Sequence, residues 1–372
     1  MEVLYENFLN LDWKQVVMWL IGGLLIFLSI KKDMEPALLL PMGFGASLVN
    51  LPLSGAVTQN YNGTEEVGVI DLLFNSGIAN ELFPLLLFIG IGAMIDFGPL
   101  LSNPKLMIFG AAAQFGIFMT LCLASMFFDI NDAASIAIIG AADGPSAIAV
   151  AIALGSKYLG AIMVAAYSYM ALVPIIQPPI IKLLTTKKER RIRMEYKPAT
   201  VSKRTRILFP IVILMIAALV APGSAELIFF LMFGNLIREC GVLNSLSETA
   251  QNVLANLVTI FLGISIASQM EAEKFLAPET LLILGLGLFA FVFDTAGGVL
   301  FAKFLNLFLK KKINPMIGAA GISAFPMAGR IVHKLGQEED KYNFLLMHSI
   351  GVNVSGQIAS VIASGLILGF FG

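Results

Sequence analysis

Apolar residues run through this chain in long blocks separated by short charged or Gly/Pro-rich stretches. The blocks are Val16 to Ile30, Pro36 to Leu53, Ala79 to Ile95, Leu106 to Phe128, Ala133 to Leu154, Leu159 to Ile181, Ile207 to Val220, Ala225 to Ile237, Val253 to Ala267, Leu281 to Leu307, Ile313 to Val332 and Phe344 to Phe371. Several are shorter than the roughly 20 residues a helix needs to cross hydrocarbon, which predicts tilted, broken or re-entrant pieces buried among their neighbours. The pattern predicts an all-α polytopic membrane protein with about eleven transmembrane helices, ten to twelve being compatible with it.

Composition agrees. Hydrophobic residues make up 58% and charged residues 13%, with a mean hydropathy of +0.85, against about 45–50% and about 25% in soluble proteins. The net charge of -1 says little, but its distribution says more: ten of the 24 Lys and Arg residues fall between Lys182 and Arg206, facing only Glu189 and Glu195. That loop is expected to be cytoplasmic by the positive-inside rule, either as a topology signal alone or also as a docking site for a cytoplasmic partner. Lys31-Lys32 and Lys310-Lys311-Lys312 are weaker markers, and counting every block as a full crossing does not bring all three clusters to one face. No nucleic-acid partner is expected. The N-terminus carries Glu2 and Glu6 and no basic region or cleavage site, so the first block is expected to stay as an anchor. Cys122 and Cys240 lack metal-ligand spacing and are assigned packing roles. His333 and His348 are the only histidines, too few and too dispersed for a transition-metal cluster.

Asp143 stands out within Ile139-Gly140-Ala141-Ala142-Asp143-Gly144-Pro145-Ser146, as the one charge in the run from Ala133 to Ser156. An ionisable side chain in hydrocarbon costs roughly 2.5 to 3.5 kcal/mol on insertion scales, so it is usually kept where it lines a cavity or ion path. A near-copy, Ile317-Gly318-Ala319-Ala320-Gly321-Ile322-Ser323, follows about 180 residues later. Leu86-Leu87-Phe88-Ile89-Gly90-Ile91-Gly92 likewise faces Val258-Thr259-Ile260-Phe261-Leu262-Gly263-Ile264, and Ser102-Asn103-Pro104 faces Leu276-Ala277-Pro278. The order predicts an anchor at 1–35, a first repeat at 36–181, the basic loop at 182–206 and a second repeat at 207–372, the repeats being inverted.

Duplication with Gly and Pro interruptions at corresponding positions points to a transporter whose site lies between the repeats near the membrane midplane. Pro145 predicts a helix break at Asp143, and Ser323-Ala324-Phe325-Pro326 and Asn353-Val354-Ser355-Gly356 predict breaks in the second half. Asp143, Ser323 and Asn353 then supply oxygen ligands at exposed helix ends, as a hard monovalent cation requires. Arg330 reads either as a snorkelling interface residue or as a bidentate partner for a carboxylate. Asp294 reads as a structural hydrogen-bonder or an ion-path acid, with the polar break at Gln114 as its rough counterpart. Tyr169 reads as an interface-belt aromatic or a proton donor.

Taken with the runs Gly234-Asn235-Leu236-Ile237-Arg238-Glu239, Asn256 to Gly263, Phe293-Asp294-Thr295-Ala296-Gly297-Gly298, Gly321 to Arg330 and Asn343 to His348, the Asp143 motif resembles the beta subunit of the sodium-translocating, biotin-dependent carboxylic acid decarboxylases, which act on oxaloacetate, methylmalonyl-CoA or glutaconyl-CoA. The resemblance spans most of the chain. Where that family tends to have Gly-Pro-Asn-Val-Ala-Gly, this chain reads Gly351-Val352-Asn353-Val354-Ser355-Gly356, and the missing proline puts the sharpness of that break in doubt. The resemblance implies a pump in the inner (plasma) membrane, in which carboxybiotin on a biotin carrier protein, charged by a carboxyltransferase alpha subunit, is decarboxylated while sodium leaves the cytoplasm and a proton is consumed. A small membrane gamma or delta subunit would complete the complex. Asp143 would be the sodium-binding and catalytic acid, Tyr169, Asn314, Gly318, Ser323, Arg330 and Asn353 would line the ion and carboxybiotin path, and Asn314 and Arg330 would face the biotin. Fold-level features alone fit a sodium-coupled carboxylate symporter equally well. The discriminator is dependence on a biotinylated partner.

Overall fold

The computed structural model describes residues 11–52, 54–61, 64–196 and 200–372; the acidic N-terminus with Glu2 and Glu6 lies outside them. Among these residues the chain is almost wholly helical. The first half comprises α1 (Trp13–Lys32), α2 (Pro36–Val49), a two-stranded ribbon of β1 (Gln59–Tyr61) and β2 (Thr64–Glu66), α3 (Val69–Gly77), α4 (Leu82–Met94), α5 (Met107–Ala113), α6 (Phe115–Ala124), α7 (Ile130–Ala137), α8 (Gly144–Ala153) and α9 (Leu159–Leu184). The second comprises α10 (Lys203–Val220), α11 (Ala225–Cys240), α12 (Ala255–Ile266), α13 (Pro278–Phe308), α14 (Met327–Glu339) and α15 (Leu346–Phe371), with 3-10 turns at Ile138–Ala141 and Pro315–Gly321. Six stretches are long and apolar enough to cross a membrane, and α3 with α4, bent by 63°, makes a seventh.

Two of the twelve apolar blocks double back instead of continuing. In the first, α7 runs inward, the chain turns at Ala142 and Asp143, and α8 returns. The open end is tied by Ser156 Oγ and the Lys157 amide, which donate to the Asp132 carboxylate at 2.7 and 3.1 Å. Pro145 sits in the first turn of α8, where its missing N–H is harmless, while Asp143 is extended and Ala142 is left-handed with φ of 54°. An L-residue in that region costs about 1–2 kcal/mol. The second hairpin consists of Pro315–Gly321, a turn at Ile322 to Pro326, and α14. Its open end is tied to the basic loop: Arg190 pairs with Glu339 at 2.6 Å and Arg193 with Asp340 at 2.6 Å.

The hairpins open to opposite faces. From the open end of the first, α9 runs 26 residues, about 39 Å at 1.5 Å per residue, before it reaches the basic loop that ties down the second. Their tips meet, with the Ser323 amide donating to the Ala141 carbonyl at 3.1 Å. Irregular backbone is tolerated at such depth only when sheathed by protein. Every residue from Asp132 to Ala151 and from Asn314 to Ala324 is buried.

The first hairpin also reconciles the charge clusters. Counted as a crossing, it would put Lys31-Lys32 and the Lys182 loop on opposite faces; as a hairpin it puts them together. Arg206 approaches Asp96 at 3.5 Å, Lys303 pairs with Glu189 at 3.2 Å and Lys311 with Glu195 at 3.2 Å, so the inner ends of α4, α10 and α13 gather at one basic face. On the other face Asn50 joins the ends of α2 and α12 by donating to the Met270 carbonyl and accepting from the Ala272 amide, at 2.8 and 2.7 Å.

Candidate ion site at the hairpin tips

Asp143 caps α8 at the point where the two tips meet α15. Its side chain is buried, and one carboxylate oxygen accepts from Ser146 Oγ at 2.7 Å, Gln357 Nε2 at 3.3 Å and Ser360 Oγ at 3.3 Å. Ser364 Oγ donates to the Ser360 carbonyl one turn further along. From the second tip, Ser323 Oγ donates to the Gly356 carbonyl at 3.2 Å. Asn353 Nδ2 donates to the Ile322 carbonyl at 2.7 Å, leaving its buried Oδ1 without a partner. One acid, three hydroxyls, two amides and the carbonyls of two unwound tips therefore converge on one buried spot. Oxygen-rich sets of this kind replace the hydration shell of a hard cation.

Backbone proximity makes this possible. A Cβ on Gly356 would stand 2.1 Å from the Gly321 carbonyl oxygen, so only glycine lets α15 run this close to the second tip. The expected break at Asn353 is overturned: α15 is continuous from Leu346 to Phe371. Val352 keeps the N–H that a proline would lack, so nothing interrupts the hydrogen-bond ladder, and Asn353 acts from an intact helix.

Ser323 and Asn353 join Asp143; the remaining predicted residues lie elsewhere. Asn314 sits at the open end of the second hairpin, where it donates to the Arg190 and Ile192 carbonyls at 2.8 and 2.9 Å and accepts from the Met316 amide. Gly318 meets Gly298 of α13 in a backbone contact that a Cβ at either position would close to about 2 Å. Asp294 accepts from the Gly116 amide at 2.6 Å and so caps α6, directly after the break at Gln114. Its other oxygen is buried, unpartnered and turned toward Gly140. Tyr169 donates its hydroxyl to the Leu284 carbonyl, its ring against Gly287. Arg330 is exposed on α14 and lies within electrostatic reach of Glu35 in the turn between α1 and α2; burial raises the Glu35 carboxyl above its ordinary range while the Arg330 guanidinium opposes the shift. Arg330 thus looks toward the basic side, and Asp143 lies deeper.

The chain matches the family described as "Na+-transporting oxaloacetate decarboxylase beta subunit" over residues 14–371. The chain belongs to this family. It is 47% identical over 385 aligned positions to the methylmalonyl-CoA decarboxylase subunit beta of Propionigenium modestum, covering 98% of this chain and 97% of that one. Similarity to the oxaloacetate decarboxylase beta chain of Klebsiella pneumoniae is 46% over 419 positions, with 97% and 96% covered. For the glutaconyl-CoA decarboxylase subunit beta of Acidaminococcus fermentans it is 47% over 368 positions, with 99% and 96% covered. Relatives named for three different substrates are equally similar, so overall likeness does not separate the three. This chain is a multi-pass membrane member of a sodium-transporting decarboxylase family.

Sequence reasoning missed Gln357, Ser360 and Tyr167. The signal for the first two was present: Asn353, Gln357, Ser360 and Ser364 fall at i, i+4, i+7 and i+11, a polar stripe on one helical face of an apolar block. Tyr167, fully buried, lays its ring over Gly144 and leaves its hydroxyl unpartnered. A lone Tyr two positions from Tyr169 carried no such signal.

Proposed function

We propose that this subunit decarboxylates carboxybiotin presented on its basic face by a partner subunit, and couples that reaction to sodium export across the plasma membrane with consumption of a proton. The observation that carries the reading is the buried Asp143 carboxylate, ringed by Ser146, Gln357 and Ser360 where two oppositely opening hairpins touch. In the proposal Asp143 binds sodium, with Ser323 Oγ, Asn353 Oδ1 and the Ser146 and Ser360 hydroxyls as further ligands, since a hydroxyl that donates to the carboxylate can rotate to offer its lone pairs instead. Ten of the twelve apolar blocks cross, and the segments before and after the basic loop are inverted halves, each with one hairpin.

The carboxybiotin supplies a carboxyl group that leaves as carbon dioxide. A partner-borne biotin is compatible with residues on the basic face, where Arg330 is exposed and its planar fork suits a carboxylate. The tips exclude water from Asp143, and sodium and a proton compete for the same carboxylate oxygens, which links ion movement to proton uptake. Moving one charge against 100 mV costs about 2.3 kcal/mol. Such a load requires tight linkage, and a single shared carboxylate provides it. The partners in this reading are a carboxyltransferase alpha subunit, a biotin carrier and a small membrane gamma or delta subunit. Asn314 acts here by holding the second hairpin to the basic loop, and Asp294 by capping α6.

The test is decarboxylation of free carboxybiotin by the purified complex with and without sodium. Sodium should stimulate the wild type, and Asp143→Asn should remove the stimulation. Full sodium stimulation in that variant would reject the assignment.

A further inference from the structure

A second polar cavity lies on the basic face, away from the hairpin tips. Its volume is about 300 Å³ and it is built from both halves and the loop between them, with Pro99, Leu106 and Met347 as apolar walls and Asn103, Lys311 and His348 as polar ones. His348 is 7% exposed and packs edge-on against Tyr196 with ring centroids 5.7 Å apart. It hydrogen-bonds the backbone carbonyls of Glu195 and Met194, and its Nε2 is buried without a partner. Since Nε2 is free, Nδ1 makes the carbonyl contact and carries the proton. In that neutral tautomer Nε2 is a lone-pair acceptor. A buried acceptor left unpaired in a polar pocket costs about 1–3 kcal/mol, so a ligand donor there has a defined advantage.

We propose that this cavity seats a cyclic urea, the head group of biotin, before the carboxyl group is lost. The inference rests on the decarboxylase reading above and adds where the biotin docks. A urea N–H would be accepted by His348 Nε2. The urea oxygen would face the Asn103 amide and the Lys311 ammonium, whose pairing with Glu195 is solvent-exposed and weak. The sulfur-containing ring would lie on Leu106 and Met347. Location supports the choice: His348 is in the first turn of α15, five residues before Asn353 and nine before Gln357, which is about 7 and 13 Å along the helix. The same rigid helix would thus join the docking pocket to the ion site.

The test measures binding rather than turnover. Radiolabelled D-biotin, which presents the uncarboxylated urea, is equilibrated by dialysis with the purified full-length subunit. His348→Phe keeps the ring against Tyr196 and removes the acceptor, and Asn103→Leu alters the opposite wall should the first variant fail to fold. Each should weaken biotin binding at least tenfold, with the sodium half-saturation of decarboxylation within twofold of wild type. Unchanged binding in both folded variants would overturn the pocket while leaving the sodium-stimulated activity of the wild type, and the function proposed from it, intact. Displacement of the label by phosphate or acetate at the same concentration would mark a general anion site and also overturn the proposal. Loss of sodium-stimulated decarboxylation in the wild type would instead remove the reading on which it rests.

Discussion

Asp143 is held by three side-chain donors on one of its oxygens, two of them from α15. Hydrogen bonds to charged groups contribute about 1.5–3 kcal/mol each, so Gln357→Leu or Ser360→Ala should raise the sodium half-saturation of decarboxylation by about tenfold or more, at 1.4 kcal/mol per decade. An unchanged sodium titration in both variants would remove α15 from the site. Asp294 separates the two readings the sequence left open. If it only caps α6, Asp294→Asn keeps an acceptor and should retain sodium transport, while Asp294→Ala strands the Gly116 amide at a cost of about 1–3 kcal/mol, visible as a lower melting temperature. Transport lost in a stably folded Asp294→Asn variant would place Asp294 on the ion path instead. The acid at 143 was legible because packing alone gives no reason to keep a charge beside Gly-Pro in an apolar block. Gln357 and Ser360 were harder to find because neither is charged and neither adjoins a helix breaker; only their helical spacing from Asn353 marks them.

At the scale of elements, the helical character and the break at Asp143 followed directly from apolar block length and proline. The break at Asn353 did not survive, since an asparagine without an adjacent proline leaves the helical ladder whole. Whether a block crosses or doubles back was not legible at all, because an apolar run is the same in both cases; the tie of Ser156 and Lys157 to Asp132 decides it. The second hairpin is held at its base by Glu339 and Asp340. The hydrogen bond from Arg190 holds the Glu339 carboxyl below its ordinary range, and that from Arg193 does the same for Asp340. A carboxyl depressed by folding stabilises the folded state above its unfolded value and loses that contribution as pH falls through the folded one. The base should therefore be firm at neutral pH and loosen below about pH 4, the ordinary carboxylate range. Limited proteolysis in the 182–206 loop should rise over that interval. A cleavage rate flat with pH would show that these pairs do not hold the hairpin.

For the whole molecule, two hairpins opening to opposite faces and touching tip to tip make a barrier thin enough for one carboxylate to face either side in turn. Their bases should then be labelled from opposite sides of the membrane: in a background lacking Cys122 and Cys240, Ser156→Cys and Glu338→Cys should react with a membrane-impermeant maleimide from different faces. Reaction of both from one face would refute the arrangement. The duplication was readable in the matching order of motifs in the two halves, but the contact between the hairpins joins residues far apart in the chain and no local pattern announces it. The most direct measurement is radioactive sodium uptake into inverted proteoliposomes carrying the complete complex, driven by decarboxylation and followed across a range of pH. With Asp143 as the shared carboxylate, acidification should raise the sodium concentration needed for half-maximal uptake, and Asp143→Asn should take up none. Coupled uptake persisting in Asp143→Asn, or a half-saturation indifferent to pH, would contradict the account.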